Sequence, residues 1–318
     1  MSFWRRRLLF CAPALLTLGQ LACAAEAFIT DQNGDEVSVV DLGSRAIVAH
    51  IPVGGKPAGI AMAPDGRTAY VTSPESKSVS IINAASRVIT AKIALPDTPL
   101  GIAADPSGQT IYVAGFYQPR LYKIDINQMA VAASVEVGAS PSGVAVTCDG
   151  KLIVTADRDD NQLSIIDAKP FTRLATVKVG AHPFGVSVDC GANRAYAADV
   201  ESNDIAVVDL KKASLIGKVA VGKRPYAVAL AKGRGFSTDQ YGGTVSVFDL
   251  ATLKPVKTIS VGDYPEGIQT SADGNQVYVV NWFSNEVWVI DAETMTVTGK
   301  MPAGDGPRAF GTFLREIF

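Results

Sequence analysis

Short runs of alternating apolar and polar residues recur along the chain, separated by clusters of Gly, Pro, Asn and Asp. "DIAVVD" (204–209) alternates with period two, while "AYVTS" (69–73) and "VYVVN" (277–281) open on three and four consecutive apolar residues. No segment keeps a helical spacing of apolar residues for ten positions. Such runs, bounded by turn residues, predict β-strands and tight turns throughout.

The runs repeat. Prolines fall at 57, 99, 141, 183, 225, 265 and 307, in steps of 42 except for one of 40. A period near forty with several strands per unit predicts a propeller. Each unit reads as four strands, A to D, counted from its proline. After Pro307 only "RAFGTFL" (308–314) remains, a lone strand A. The missing strands lie at the other end: "AFITDQNGDEVSVVDLGSRAIVAHIPVG" (27–54) aligns with "AYVTSPESKSVSIINAASRVITAKIALP" (69–96), which is B, C and D of the first unit. The expected fold is all-β: a single seven-bladed β-propeller of four-stranded blades. Its last blade is closed by the C-terminal inner strand plus three N-terminal strands. Closure removes the open sheet edges that invite aggregation.

The first residues stand outside this pattern. "MSFWRRRLLFCAPALLTLGQLACAAEA" has a basic start, an apolar run and small residues, the layout of a secretory signal peptide. Residues 1–24 are therefore expected to be a leader cut between about 24 and 27, leaving 25–318 as the propeller in the periplasm. No later stretch holds 18 continuous apolar residues, so no membrane span is expected. Loss of the leader removes three arginines and no acids, which moves the formal charge from −2 to −5. Such an acidic chain is not built to hold nucleic acid by general electrostatics.

Two cysteines remain after the leader, Cys148 and Cys190, in the A–B turns of blades three and four. An oxidising compartment favours their pairing. Facing sheets packed ~10 Å apart oppose it, because a disulfide needs Cα atoms roughly 4.4–6.8 Å apart. The pair is a candidate disulfide only if the turns lean together.

The strand B sequences "AYVTS" and "VYVVN", with "VG..P.GIA"-type runs before them and "VSIIN" or "VWVID" after, resemble the YVTN-type β-propeller repeat. That family includes periplasmic YncE-like proteins and surface-layer proteins, and the likeness covers essentially the whole mature chain. It implies the fold. Its members include binding proteins, surface proteins and domains accompanying quinone or haem enzymes, so it does not fix a function.

Strand order places loops D–A and B–C on one face, called the top here, where ligands of propellers commonly bind. The residues before the seven prolines are Lys56, Thr98, Ser140, His182, Arg224, Tyr264 and Gly306; those after are Ala58, Leu100, Ser142, Phe184, Tyr226, Glu266 and Arg308. Structural positions in a repeat should look alike, and these do not. Blades four to seven gather the charged and aromatic groups. His182, Phe184, Arg224, Tyr226, Glu266 and Arg308 are the candidate contacts, with Arg224 and Arg308 suited to an anion. Asp199 and Asp239, in the row that ends strand B, stand beside them. The competing reading of that row is hydrogen bonding to the following turn. Trp282, in the loop "NWFSN", is a candidate docking aromatic.

No catalytic residue, metal or cofactor is expected: nucleophile motifs, His-Glu-x-x-His and phosphate loops are missing from the sequence. The leading reading is a non-catalytic exported binding or scaffold protein whose small ligand or periplasmic protein partner meets the top face. Two others stay open: a lactonase- or lyase-type enzyme with His182 as base, or an accessory to a quinone-dependent dehydrogenase; and single-strand nucleic-acid binding of the YncE-like kind.

Overall fold

A computed structural model describes residues 25–316. The expected leader, residues 1–24, lies outside them. Seven blades each carry four strands, ordered A-B-C-D from the axis outwards, and the sheet of blade one has a fifth, short strand on its inner edge. Blade four is typical: Pro183–Asp189, Arg194–Asp199, Asp204–Asp209 and Ser214–Ala220. The described residues contain no helix, hence none long and apolar enough to cross a membrane.

Burial explains the two sequence textures. Strands B and C are sandwiched between neighbouring blades, so both faces are apolar and Ala195–Asp199 are fully buried. Strand D lies on the rim and is mostly exposed; in blade four only Gly217 is half-buried and Val219 buried. In every blade the C–D pairing shifts register at one place, between Val207 and Val208 in blade four. That bulge gives the outer strand extra twist.

The ring closes through both chain ends. Leu314–Arg315 pairs with Ala27 and Glu26, followed outwards by Glu36–Asp41 and Ala46–Pro52. The closing inner strand is not the continuous one expected. Pro307 bridges Asp31, then Phe310–Thr312 leaves its own blade and pairs in parallel with Gly59–Ala61 of blade one. Gly311, at φ 131, makes that path accessible, and an added Cβ would stand 2.1 Å from the Ile60 carbonyl oxygen. Arg315 anchors the end, with Nη1 2.6 Å from Glu26 Oε2.

Inner strands crowd the axis. A Cβ on Gly143 would lie 2.5 Å from the Phe184 carbonyl oxygen, and one on Gly185 would lie 2.5 Å from that of Tyr226. This convergence overcomes the ~10 Å sheet spacing. Near the axis the A–B turns of blades three and four lean together, and Cys148 and Cys190 form a disulfide with Cα atoms 5.9 Å apart.

Candidate functional site

The top-face turns are locked to one another through their backbones. Residues before the ring prolines, Thr98 of blade two excepted, adopt a left-handed conformation: φ is 50 at Ser140, 55 at His182, 54 at Arg224 and 60 at Tyr264. That costs an L-residue about 1–2 kcal/mol. Hydrogen bonds offset it. The carbonyls of His182, Arg224 and Tyr264 accept from the amides of Val200, Gln240 and Trp282, each at 3.0 Å. The amides of His182 and Arg224 donate to Asn161 and Asn203 of the preceding blade, each at 2.8 Å. Because the backbone carries the structure, these side chains are free to differ from blade to blade.

Residues after the prolines turn the other way, into the neck of the channel. Phe184 from blade four and Phe310 from blade seven, three blades apart around the ring, meet with centroids 5.0 Å apart. Tyr226 packs on both, at 4.5 and 5.4 Å. The neck is therefore closed by an aromatic plug. Beside it lies an ion pair: Arg308 Nε stands 2.7 Å from Glu266 Oε2, Arg308 Nη2 donates to the Tyr226 hydroxyl at 2.7 Å, and Gln240 Nε2 donates to Glu266 Oε1 at 2.7 Å. Glu266 is fully buried and the Arg308 side chain is 16% exposed. Burial raises the Glu266 carboxyl, and Arg308 draws it back. Burial also acts against the Arg308 charge, and Glu266 and Tyr226 outweigh it, so the guanidinium stays charged. Burial pushes the Tyr226 phenol up as well.

The candidates thus separate. Tyr226, Glu266 and most of Arg308 are spent inside the neck, and the anion-binding role expected of Arg308 is already filled by Glu266. Asp199 and Asp239 are fully buried and do not open to the mouth. Asp199 accepts from the Gly180 amide at 2.8 Å, and Asp239 from the Gly222 amide at 3.1 Å. A Cβ on either glycine would lie 2.4 Å from the carboxylate, which explains the glycine of each "VG". Burial raises the Asp239 carboxyl to about 6; burial and the neighbouring Asp204 carboxyl raise Asp199 to about 9. In blade two the arrangement is swapped: Gly115 ends strand B and Asp97 sits in the turn, accepting from the Gln118 amide at 2.9 Å. His182 faces Glu201, Nδ1 to Oε1 3.1 Å, at the edge of the cluster.

What remains open is a ridge over blades five and six. Tyr241 stacks towards Tyr264 at 5.4 Å, Tyr264 touches Phe283 at 4.9 Å and Trp282 at 5.7 Å, and Trp282 and Phe283 lie nearly parallel at 5.7 Å. Arg224 covers the Tyr241 ring at 4.9 Å, and Arg308 reaches the Trp282 ring at 5.3 Å. Tyr241 is 58% and Phe283 70% exposed. Arg224 Nε and Trp282 Nε1 are buried donors without a partner among the described residues. Burial and the adjacent Tyr241 raise the Tyr264 phenol to about 12, so that phenol stays neutral.

Of these, Tyr241, Gln240 and Phe310 escaped the sequence reading, although each left a trace. Tyr241 occupies the ring position of Phe283 and Tyr117, two residues past strand B. Phe310 is the one aromatic in a row otherwise made of Ile60, Ile102, Val144, Val186, Val228 and Ile268.

No protein-family model and no curated protein sequence matches this chain. Among solved structures it is similar to hydrazine synthase of Kuenenia stuttgartiensis, at 17% identity and a TM-score of 0.72 over 80% of this chain and 89% of that one. It is also similar to a protein of unknown function from Desulfotomaculum acetoxidans DSM 771, at 15% identity and a TM-score of 0.77 over 89% and 99%. At such identities the likeness shows the fold alone, and that fold is a seven-bladed β-propeller.

Proposed function

We propose that this propeller is an exported, periplasmic, non-catalytic docking protein, and that a protein partner seats on the top-face ridge. The ridge carries the reading. Tyr, Trp, Phe and Arg are the residues enriched at protein interfaces and at their energetic centres. Here four aromatics and two arginines are contiguous, and two of the rings are more than half exposed. Exposed apolar surface of that kind marks interaction sites. The closed neck argues for docking across the ridge over insertion into the axis. Export is supported by the leader-like first residues, by the YVTN-type repeat pattern and by the Cys148–Cys190 disulfide, which suits an oxidising compartment.

Photo-crosslinking tests this in the native cell. A benzoylphenylalanine placed at Phe283 should give one dominant adduct, and the same probe at Val88 on an outer strand should not. The reading fails if Phe283 gives no adduct, or if both positions give the same set. Cell fractionation tests the location: recovery of the chain with the cytoplasm would overturn export.

A further inference from the structure

The opposite face carries a second feature, independent of the ridge. Below the plug the axis opens into a well of about 600 Å³ that reaches the A–B turns at Pro64, Gly66 and Ala272. Phe310 and the inner strands form its closed end and walls. The wall of blade three is Gly143–Val146, four residues, or about 13 Å of strand. Glu316, at the mouth, is the one ionisable side chain in the lining among the described residues, and its Oε2 accepts from the Ala272 amide at 2.6 Å.

Apart from Ser187, Gln269, Thr270, Thr312 and Glu316 the lining side chains are apolar or glycine, and the remaining polar groups of the walls are those of the backbone. In blades one to three the amides of Ala63, Asp105 and Thr147 donate to strand B. Alternation along a strand turns the N–H and C=O groups one and three residues earlier the other way, into the well. Some of these groups are already engaged. The Val228 carbonyl accepts from the Ser187 hydroxyl, the Leu230 carbonyl accepts from Thr270 Oγ1 at 3.1 Å, and the inner edge of blade one is paired with Phe310–Thr312. On blades two to four the edge groups of Ile102, Ala104, Val144, Val146, Val186 and Val188 have no such partner among the described residues. Where blade four has Ser187 to cap its neighbour, blades two and three have Ala103 and Ala145. Bare inner-strand edges therefore line one side of a closed-ended well.

We infer that this well binds a short, uncharged peptide in extended conformation, added as a strand to the inner edges of blades two to four. Three observations select that chemistry. The free groups are peptide donors and acceptors in strand spacing, the pattern that strand addition satisfies. The protein's own Phe310–Thr312 already adds to an inner edge in this way. The deep wall offers no counter-charge, so a charged guest would lose its hydration without repayment. The wall's length suits about three residues.

The probe is trifluoroacetyl-Val-Ala-Val-amide, followed by fluorine NMR on the mature, disulfide-intact protein. Saturable binding of one peptide per chain is expected. The Ala103→Gln/Ala145→Gln variant should weaken it at least tenfold. Blade six already carries Gln269 at this ring position, so the substitution is compatible with the fold, and an unchanged melting temperature would confirm that. Ala272→Trp, on the exposed rim, should obstruct entry and weaken binding as well. Phe283→Ser, on the other face, should leave binding unchanged, and a Glu-Ala-Glu analogue should not bind. The inference is overturned if the peptide does not bind saturably, if it binds equally after the double substitution, or if the acidic analogue binds as well.

Discussion

In blade three the residues flanking the ring proline are Ser140 and Ser142; in blade six they are Tyr264 and Glu266. Their backbones are nearly the same. Ser140 and Tyr264 have φ of 50 and 60, and their carbonyls accept from Arg158 and Trp282. Their side chains do different work. Ser142 caps nearby carbonyls: its one hydroxyl proton has Phe184 O at 3.0 Å and Ala156 O at 3.1 Å within reach. Glu266 holds a buried arginine that reaches the ridge. The repeat thus keeps its structural duties in the backbone and in a few buried positions, which leaves the flanking side chains to specialise on one side of the ring.

The largest expected effect breaks the blade-six neck. Glu266→Ala leaves the Arg308 guanidinium buried without its carboxylate, and removing one partner of a buried pair costs about 3–5 kcal/mol. Ser142→Ala, the blade-three counterpart, should cost about 1 kcal/mol. Urea unfolding of both measures the gap. A Glu266→Leu/Arg308→Leu double variant should recover part of the loss, because no charge is then stranded. Equal costs at the two blades would sink the comparison.

The disulfide is the next test. Cys148 and Cys190 are 42 residues apart in sequence. Closing a loop of that size contributes about 2–4 kcal/mol in the chain-entropy account. Cys148→Ser/Cys190→Ser should lower stability by that amount under oxidising conditions, and reductant should then have no further effect.

A third prediction compares Asp31 of blade seven with Asn281 of blade six, at the same strand end. Burial raises the Asp31 carboxyl from 3.8 to about 7. Between those two values the folded state holds a proton that the unfolded state has released. Stability on this account is greatest below pH 4, falls as pH rises to about 7 and is level above that. Asn281 needs no proton; its amide donates to Val279 O and Glu286 O, both at 3.2 Å. Asp31→Asn can do the same to Ile29 and Glu36. It should raise stability at pH 8 by about 2 kcal/mol and flatten the slope between pH 4 and 7. An unchanged slope would show that Asp31 is ionised throughout.

These cases show how much of the molecule was legible in the sequence. The period of the prolines and the complementary chain ends specify the blades and the closure, because each strand's texture depends only on its depth in the ring. The path of Phe310–Thr312 was not legible: its partner, the blade-one edge, lies far away in sequence and is met only after closure. The site was legible as a set of unlike residues in like positions. The direction each points was not. A step of two residues across the proline separates the half-buried Arg224, packed on the ridge, from the buried Tyr226 of the neck. The Asp row reads as a rim, yet it lies buried under the turn glycines.

The smallest effect on stability is expected on the ridge itself, and it decides the functional reading. Tyr117 of blade two, Tyr241 of blade five and Phe283 of blade six share one ring position, and all are exposed, at 75%, 58% and 70%. Tyr117 contacts Phe116, at 5.2 Å, and Arg158 of blade three lies over the Phe116 ring at 5.9 Å, but among the described residues no further aromatic joins that pair. Tyr241 and Phe283 are the two ends of the four-ring array. Replacing any of the three by serine removes surface that water already covers, so each should change unfolding free energy by no more than about 0.5 kcal/mol. Association separates them. Tyr241→Ser and Phe283→Ser should abolish the adduct formed by a photo-crosslinker at Lys223, on the ridge's edge, while Tyr117→Ser should leave it intact. If all three weaken the adduct alike, the partner contacts the whole top face and the asymmetry of the ring has another purpose. If none does, the rings are not the docking surface.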